Sequence, residues 1–455
     1  MTGGLNAIRV VDVSLPDGTN TDLLIEGGRF VSTDAGAATT RSGTMVIDAA
    51  GLIALPGLVD LHAHLREPGS EHSETILSGS RAAAIGGFTA VFAMANTQPA
   101  SDSAAVVEQT EALGERHGYV QVRPIGAVTA GLHGQRLAEI GAMATSRAHV
   151  RVFSDDGFCV HDGLLMRRAL EYVKTFGGVI AQHAQEPRLT LGAQMNEGAL
   201  SGEMGLTGWP GVAEESIIAR DVMLAQHVGA RLHICHVSTA GSVEVLRWAK
   251  ARGVDVTAEV TPHHLLLTEQ EVAGYDSRYK VNPPLRREED VQALRTALTD
   301  GTIDIVATDH APHPLEAKQC AWDDAANGMV GLESALSVVH AAVVASGQLD
   351  WREVSRVFSI APARIGRLAG YDRPFATGAP ANLTLYDPTA SRVFAISDLR
   401  SASVNSPYLG RTLPGRVVTT IHNGYPTVMD GELVEPERVA SAARAVAARE
   451  VASHG

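Results

Sequence analysis

The stretch that decides the fold reads Val59-Asp60-Leu61-His62-Ala63-His64-Leu65-Arg66-Glu67-Pro68-Gly69. The apolar run 52–59 predicts a buried strand, which leads into two histidines separated by one residue. Side chains at i and i+2 of a strand point to the same side, so both imidazoles can converge on one point. Imidazole is the commonest protein metal ligand. Taken alone, however, such a pair is more often two ordinary polar histidines at a strand end, and the rest of the chain decides between the two interpretations.

Composition and charge narrow the class of protein. The 455 residues, 45% hydrophobic and 19% charged, suffice for one large domain and a smaller one. No apolar run reaches 18 residues, and the amino terminus lacks the segments of a secretion signal, so we expect neither a membrane span nor export. Cys159, Cys235 and Cys320 cannot all pair and show no Cys-x-x-Cys spacing, which favours a reducing cytoplasm. The net charge of −14 argues against nucleic acid as a partner.

Between about 58 and 310, short apolar runs alternate with helix-like segments. Strands are predicted at 58–62, 88–94, 120–127, 150–154, 178–183, 231–237, 255–260 and 303–308. Helices are predicted between them, for example at 78–85, 104–116, 164–175, 214–228 and 241–251. Eight βα units close most simply into a (β/α)₈ barrel, an α/β fold with function at the carboxyl ends of its strands. An open doubly wound sheet is the alternative, but no Gly-x-Gly-x-x-Gly follows the first strand.

At both ends of the chain, the sequence pattern predicts short strands separated by turns. At the amino-terminal end, strands are predicted at 7–11, 21–25 and 29–31. At the other end, helical stretches at 330–347 and 352–368 are followed by predicted strands at 381–386 and 417–421. We expect residues 1–55 and 369–435 to form one small β-sandwich domain beside a barrel domain of residues 56–368. The Ala- and Arg-rich tail, 436–455, is expected to be helical or frayed.

Histidines and aspartates end five of the eight predicted strands. They are His62 and His64 (strand one), Asp155 and Asp156 (four), His183 (five), His236 (six) and Asp309 (eight). One such residue could be an ordinary buried group, but all of them meet at one rim of a barrel. Imidazole and carboxylate ligands suit Zn²⁺ best, with Mn²⁺ or Co²⁺ as alternatives. Two metals bridged by a carboxylate would favour hydrolysis of an amide-like carbonyl, with Asp309 as the proton shuttle.

Three motifs carry a resemblance to a known family. They are the 60–69 segment quoted above, Glu259-Val260-Thr261-Pro262-His263-His264, and Thr308-Asp309-His310-Ala311-Pro312-His313. Together they resemble class I bacterial dihydroorotase, of the cyclic amidohydrolase superfamily, from about residue 50 to 335 and more weakly at both ends. The resemblance implies reversible closure of N-carbamoyl-L-aspartate to L-dihydroorotate, the third step of de novo pyrimidine (UMP) biosynthesis, by a hydroxide held on zinc.

The resemblance also implies a role for each site residue. His62 and His64 would bind the buried metal, His183 and His236 the more exposed one, and Asp309 would bind the first metal and act as general acid/base. The implied substrate-binding residues are His64, Arg66, Asn96, Asn282, His313, Asn327 and Gly328. Arg66 would hold the substrate carboxylate, which its planar fork matches. Without the motifs, Arg66 could equally pair with Glu67, and the two asparagines could serve turns.

One feature departs from the wider superfamily, many of whose members bridge two metals with a carboxylated lysine after strand four. Here no lysine precedes Lys174, so a carboxylate must bridge. The 27-residue step from Asp156 to His183 matches the class I branch and selects Asp156 over Asp155. Aspartate is shorter than carboxylysine, and the resemblance implies two zinc ions per subunit.

Alternative functions remain at this point. Another cyclic amidase, such as allantoinase or dihydropyrimidinase, would use the same barrel, although Arg66 and Asn96 fit an acidic substrate better. A non-catalytic homologue that assembles with aspartate transcarbamoylase is a rival of another class, but such homologues tend to lose ligands that this chain keeps. The family expectation is a homodimer. Loop 314–326 is expected to order over the substrate and exclude water.

Overall fold

Strands near the amino terminus begin a small sheet. In the computed structural model, which describes residues 7–32 and 43–434, they are β1 (Ala7–Ser14), β2 (Asn20–Glu26), β3 (Arg29–Ser32), β4 (Thr44–Asp48) and β5 (Ile53–Pro56). β1 pairs antiparallel with β2 and parallel with β4, and β2 also pairs antiparallel with β3. The strands predicted from 7 to 31 are therefore confirmed, whereas the predicted tail 436–455 lies outside the described residues.

The barrel is built from short parallel strands. Their bounds, with those of one small extra pair, are β6 (Leu58–Ala63), β7 (Phe88–Ala93), β8 (Gln121–Pro124), β9 (Val152–Phe153), β10 (Val179–Gln182), β11 (Met195–Asn196), β12 (Gly208–Trp209), β13 (Leu232–Ile234), β14 (Val256–Val260) and β15 (Ile305–Val306). β11 and β12 form a separate two-stranded sheet, whereas the other strands form two parallel arcs, β6-β7-β8 and β9-β10-β13-β14-β15. Parallel bridges Gly126–Phe153 and Ala63–His310 join the arcs and close the barrel. All eight predicted barrel strands are confirmed.

Helices follow the barrel strands. They are α1 (Ile76–Ile85), α2 (Ala104–His117), α3 (Ile140–Thr145), α4 (Gly163–Lys174), α5 (Ala199–Met204), α6 (Val212–Val228), α7 (Ala240–Ala251), α8 (Pro262–Leu266), α9 (Glu288–Asp300), α10 (Leu315–Lys318), α11 (Ala335–Val339), α12 (Trp351–Ser355) and α13 (Ala361–Ile365). Side chains of Thr75, Asp162 and Thr239 cap α1, α4 and α7 by accepting backbone N–H bonds, which explains why these helices begin there.

The two long helical stretches predicted after the barrel are interrupted. α11 continues into a π-helical turn, His340–Val344, and a second such turn, Arg356–Ile360, joins α12 to α13. Pro362 stands just after the second of these turns, near the start of α13. Short 3₁₀ segments occur at Ala130–Leu132, Glu269–Gly274, Ser277–Tyr279, Trp322–Asp324 and Ile396–Asp398. Within residues 7–32 and 43–434, no helix is long and apolar enough to cross a membrane.

The carboxyl-terminal strands complete the small sheet. They are β16 (Leu383–Val393), β17 (Thr412–His422), β18 (Tyr425–Met429) and β19 (Glu432–Leu433). The order is β19-β18-β17-β16-β5-β1-β2-β3, so β5 joins the two ends of the chain. Ile8 and Leu23 from one half and Leu383, Leu385 and Ile421 from the other share one apolar core. Two halves of a sheet therefore cover one core, as a β-sandwich does. We propose that the domain boundaries lie near 56 and 369, because β5 pairs with β16 whereas β6 pairs with β7.

The connection between β16 and β17 also reaches the barrel. Asn405 in this connection donates from Nδ2 to the carbonyl oxygens of Ala311 (3.0 Å) and Gly328 (3.1 Å), and its Oδ1 accepts from the backbone N of His313 (3.1 Å). The carboxyl-terminal segment thereby fixes the loop that follows β15, next to the site described below.

Candidate metal centre

The first pair of histidines lies at the end of β6. His62 is fully buried, and its Nδ1–H donates to Oε1 of Glu259 at 2.6 Å. His64 donates from Nδ1 to Oδ1 of Asn96 at 2.8 Å. Each ring therefore presents the lone pair of Nε2 to the centre of the barrel mouth. The buried Nε2 of His62 has no hydrogen-bond partner among the described residues, as expected of an atom that serves a metal ion.

Two carboxylates face these Nε2 atoms. Oδ2 of Asp156 lies 3.4 Å from Nε2 of His62 and 3.4 Å from Nε2 of His64. Oδ1 of Asp309 lies 3.5 Å and 3.1 Å from the same two atoms. Ligands about 2.0–2.1 Å from a tetrahedral Zn²⁺ stand about 3.3 Å apart. The ligand atoms of His62, His64 and Asp156 all lie within 4.8 Å of one another, and Oδ1 of Asp309 stands at ligand spacing from both imidazoles.

The second pair of histidines faces the other oxygen of Asp156. Oδ1 of Asp156 lies 3.2 Å from Nδ1 of His183 and 3.1 Å from Nε2 of His236, and these two nitrogens are 2.9 Å apart. His183 donates from Nε2 to Oε1 of Gln185 at 2.8 Å, so its Nδ1 lone pair points inward. With three facing ligand atoms, this group leaves a tetrahedral position for another ligand, as catalytic zinc sites do.

The two aspartates that end the fourth barrel strand differ in their surroundings. Asp155 accepts hydrogen bonds from the backbone N of Val128 (2.8 Å) and Thr129 (3.0 Å) and from the hydroxyl of Thr129. Both oxygens of its carboxylate therefore bind the loop after β8 and hold that loop in place. Asp156 instead turns one oxygen to each histidine pair. The contacts support Asp156 as the bridging residue that the sequence predicts.

The centre favours a cation. Burial alone would lower the pKa of His62, but the carboxylates of Asp156, Glu259 and Asp309 outweigh it and hold the pKa well above the ordinary value. Burial likewise opposes ionisation of Asp156 and Asp309, yet the charge of His62 and hydrogen bonds from the neighbouring histidines hold both pKa values below the ordinary value. A divalent ion would replace these protons as the balancing charge, and the donor set fits Zn²⁺.

A cavity of about 220 Å³ opens over the centre. Its lining includes every residue for which the sequence predicts a substrate contact, namely His64, Arg66, Asn96, Asn282, His313, Asn327 and Gly328. The buried Oδ1 of Asn282 has no hydrogen-bond partner among the described residues, and its Nδ2 donates to Gln185 at 3.0 Å. An amide oxygen left without a donor on the wall of a cavity is available to a ligand.

One wall of the cavity joins Arg66 to the loop after β15. Arg66 donates from Nε to the carbonyl oxygen of Pro312 at 3.2 Å, and burial lowers its pKa to about 10. Glu67, its possible surface partner, instead accepts from the backbone N of Ile76 at 2.8 Å. His313 donates from Nε2 to the carbonyl of Asn327 at 2.8 Å. Burial and the Arg66 charge lower the pKa of His313 to about 3, so it is neutral at physiological pH.

Gly328 fits where no larger residue would. Its φ is 141°, and an added Cβ would lie 2.7 Å from Cβ of Ala311 and 2.8 Å from Nε2 of His313. The absence of a side chain keeps the backbone of Asn327 and Gly328 open to the cavity.

Comparison with known proteins agrees with this geometry. The Dihydro-orotase-like family model matches residues 51–242. The chain is 70% identical over 426 residues to the dihydroorotase of Leifsonia xyli, covering 94% of this chain and 97% of that protein. It is 62% identical to the dihydroorotase of Streptomyces coelicolor (90% and 96% covered) and 52% identical to that of Mycobacterium tuberculosis (92% and 97%).

The chain belongs to the dihydroorotase family. It is therefore an enzyme of the cyclic amidohydrolase group, as the sequence motifs indicate. Solved structures of similar fold include the L-hydantoinase of Arthrobacter aurescens (TM-score 0.83, 24% identity, 94% and 97% covered). The dihydropyrimidinase of Brevibacillus agri is also similar (TM-score 0.81, 21% identity, 94% and 96% covered). At these identities the likeness concerns the fold, and it agrees with the predicted barrel.

This dihydroorotase-family site also contains residues to which the sequence assigns no role. Glu259 orients His62, Gln185 orients His183, and Asn405 supports the loop that carries Asn327 and Gly328. The sequence contains a sign of the role of Glu259, because a carboxylate inside the apolar strand 256–260 requires a buried partner. No comparable signal marks Asn405.

Proposed function

We propose that this enzyme catalyses the reversible cyclisation of N-carbamoyl-L-aspartate to L-dihydroorotate in pyrimidine biosynthesis. The observation that carries the proposal is the Asp156 carboxylate, which turns one oxygen to each histidine pair beneath a cavity that also contains Arg66. A cyclic amide with an acidic substituent fits this arrangement, because the histidine and aspartate centre would act on the amide and Arg66 would bind the acidic group.

The proposed cofactor is two zinc ions. His62, His64, Asp156 and Asp309 would hold one ion, and Asp156, His183 and His236 the other. When bound, zinc polarises the amide carbonyl and brings the pKa of water near neutrality. The lone-pair orientation of His62, His64 and His183, each fixed by a hydrogen bond from its other ring nitrogen, supports this assignment.

Asp309 is the proposed general acid/base. Its pKa is held below the ordinary value despite burial, so it is ionised and able to accept a proton. In ring opening it would take the proton of the attacking water and return it to the departing ring nitrogen. In ring closure the same proton moves in the opposite direction.

Arg66, Asn96 and Asn282 are proposed to orient the substrate. The guanidinium of Arg66 can offer two parallel N–H groups to the substrate carboxylate. The free Oδ1 of Asn282 can accept from a ring or carbamoyl N–H. His313 and the Asn327–Gly328 backbone would border the pyrimidine ring.

Turnover of L-dihydroorotate by the purified chain with zinc supplied tests the proposal, with dihydrouracil and allantoin assayed in parallel. We expect selective opening of dihydroorotate, and we expect Asp309→Asn to slow that turnover by about 10²–10⁴-fold. Turnover of dihydrouracil or allantoin instead would refute the assigned substrate while leaving the metal centre intact. Absence of any turnover in the zinc-loaded protein would support the assembly-partner alternative.

Two further assignments are proposed from the family resemblance. The chain would act in the cytoplasm as a homodimer, with or without aspartate transcarbamoylase. Light scattering on the purified protein tests the first association. Co-elution with a purified aspartate transcarbamoylase tests the second. A monomeric mass by light scattering would refute the homodimer, and separate elution of the two proteins would refute the association with the transcarbamoylase.

A further inference from the structure

A buried lysine stands behind the wall of the cavity. Lys318, the last residue of α10, is 4% exposed. Its Nζ donates to the carbonyl oxygens of Ala326 (2.7 Å), Gly328 (3.1 Å) and Lys280 (3.2 Å). An ammonium has three N–H donors, and all three are used on backbone carbonyls.

A second buried lysine completes the arrangement. Lys280 is also 4% exposed, and its Nζ donates to the carbonyl oxygens of Trp322 (2.5 Å) and Asp323 (3.1 Å). The backbone N of Gly328 donates to the carbonyl of Lys280 at 2.9 Å. Three kinds of hydrogen bond therefore hold residues 315–328 against Lys280: those from the Lys280 ammonium, that from the Lys318 ammonium, and that from the backbone N of Gly328.

The position of these contacts links two walls of the cavity. Lys280 lies two residues before Asn282, in the connection between β14 and β15, whereas residues 315–328 follow β15. Asn282 lines the cavity from the first connection, and Asn327 and Gly328 line it from the second. The ammonium of Lys318 thus joins the loops after the seventh and eighth barrel strands at the cavity.

The chemistry requires lysine rather than arginine. In the described part of the chain, the hydrogen bonds of both ammonium groups go to backbone carbonyls and none goes to a carboxylate. Three converging carbonyls match a tetrahedral ammonium and not a planar guanidinium. Two of only four lysines in this arginine-rich sequence occupy this place. Burying an ammonium costs free energy that an apolar side chain would avoid.

We propose that Lys318 is a positioning residue, whose ammonium holds the Asn327–Gly328 backbone at the substrate and thereby sets KM. The substrate named in its test rests on the proposed function. Lys318 does not line the cavity itself; it acts through the carbonyls of Gly328 and Ala326. The Gly328 carbonyl has two donors, Lys318 and Asn405. Removal of the ammonium takes away one of them and the bond to Ala326, which loosens this backbone at the ring while the metal ligands stay in place.

Kinetics of Lys318→Ala and Lys318→Met on L-dihydroorotate test the proposal. We expect KM to rise about tenfold with kcat within about threefold of wild type, because a contact made equally in the ground and transition states affects binding alone. Lys174→Met is the matched control, since Lys174 donates a hydrogen bond to the carbonyl of Val228 at 2.8 Å, on another face of the barrel. We expect no change in either constant for that variant.

Chemical rescue separates positioning from packing. Added n-propylammonium is expected to restore KM in Lys318→Ala, whereas n-propanol of the same size is not. Wild type and Lys174→Met with the same additives control for effects on the metal. Equal rescue by propanol, or an unchanged KM in both Lys318 variants, would overturn the proposal.

A spectroscopic readout keeps this test independent of the assigned substrate. Trp322 is buried, and its carbonyl and ring both contact Lys280, with Nζ 5.6 Å from the ring centroid. We expect red-shifted Trp322 emission in Lys318→Ala and reversal by propylammonium, with Trp322→Phe variants identifying the signal. If wild type failed to open dihydroorotate, the proposed function would fall, while unchanged emission would overturn the positioning role.

Discussion

Nδ1 of His62 lies 2.6 Å from Oε1 of Glu259, across the barrel mouth and 197 residues away in sequence. Oε2 of the same carboxylate lies 2.9 Å from Nε2 of His233. Burial opposes ionisation of Glu259, but the charge of His62 and hydrogen bonds from both histidines lower its pKa to about 2. Glu259 is thus an anionic acceptor that fixes the tautomer of His62 and turns its Nε2 lone pair towards Asp156 and Asp309.

Replacement of Glu259 by Gln should weaken metal binding. We expect zinc affinity to fall about 10–100-fold, because a neutral amide orients the imidazole less firmly and makes it less basic. Competition against a zinc indicator of known affinity measures the change. Glu269→Gln is the matched control: Glu269 is also a buried carboxylate, and its Oε2 accepts from Nδ2 of Asn196 at 2.6 Å. Equal zinc affinity in Glu259→Gln and wild type would contradict the role.

Asp155 and Asp156 should respond differently to the same substitution. In Asp156→Asn we expect loss of at least one zinc per chain and turnover slower by about 100-fold or more, since one oxygen faces each histidine pair. In Asp155→Asn we expect normal zinc content and a free energy of unfolding lower by about 1–3 kcal/mol, because the bonds from Val128 and Thr129 lose their charged acceptor. Elemental analysis and urea unfolding distinguish the two. Zinc loss in Asp155→Asn alone would reverse the assignment.

The strands and their terminal histidines were predictable because both are local properties of the sequence. Apolar runs specify the barrel strands, and His62 and His64 share a face through the two-residue period. Strand lengths were overestimated: the predicted 303–308 is observed as Ile305–Val306, and 231–237 as Leu232–Ile234. Each is followed by a candidate ligand with left-handed backbone, Asp309 at φ 46° and His236 at φ 32°. This backbone conformation interrupts the regular strand geometry at each candidate ligand, which shortens the observed strands.

The supporting residues were less predictable because they depend on distant contacts. Asn405 meets Gly328 from a connection between two strands of the small sheet, 77 residues away. Nothing in its own segment distinguishes it from an ordinary loop asparagine. Lys318 is similar, since its three acceptors lie on two different loops and only the folded chain brings them together.

Arg66 should determine the preference for an acidic ring. In Arg66→Met we expect KM for dihydroorotate to rise about 10–100-fold, the effect of losing one or two charge-assisted hydrogen bonds. The ratio of kcat/KM for dihydroorotate to that for dihydrouracil, which lacks the carboxylate, should fall by the same factor. Arg147→Met, at an exposed arginine on the outer surface, is the control. An unchanged ratio in Arg66→Met would show that another group reads the carboxylate.

The buried ammonium of Lys318 should make stability depend on pH. Burial and then the charge of Lys280 lower the pKa of Lys318 from 10.5 to about 7 in the folded chain. Between these two values the unfolded chain binds the proton more strongly, so the contribution of Lys318 to the free energy of unfolding rises with pH. Lys318→Met lacks this group, and its stability relative to wild type should therefore be higher at pH 7 than at pH 9.5.

Urea unfolding of both proteins at the two pH values measures this difference, which the pKa shift limits to about 3 kcal/mol. Lys174→Met in the same series controls for the removal of a lysine from the surface. A difference between Lys318→Met and wild type that stayed constant with pH would mean that Lys318 titrates alike in the folded and unfolded chains. The positioning role would then be decided by the kinetic, rescue and fluorescence experiments, because an ammonium that keeps its proton still offers three donors to the carbonyls around it.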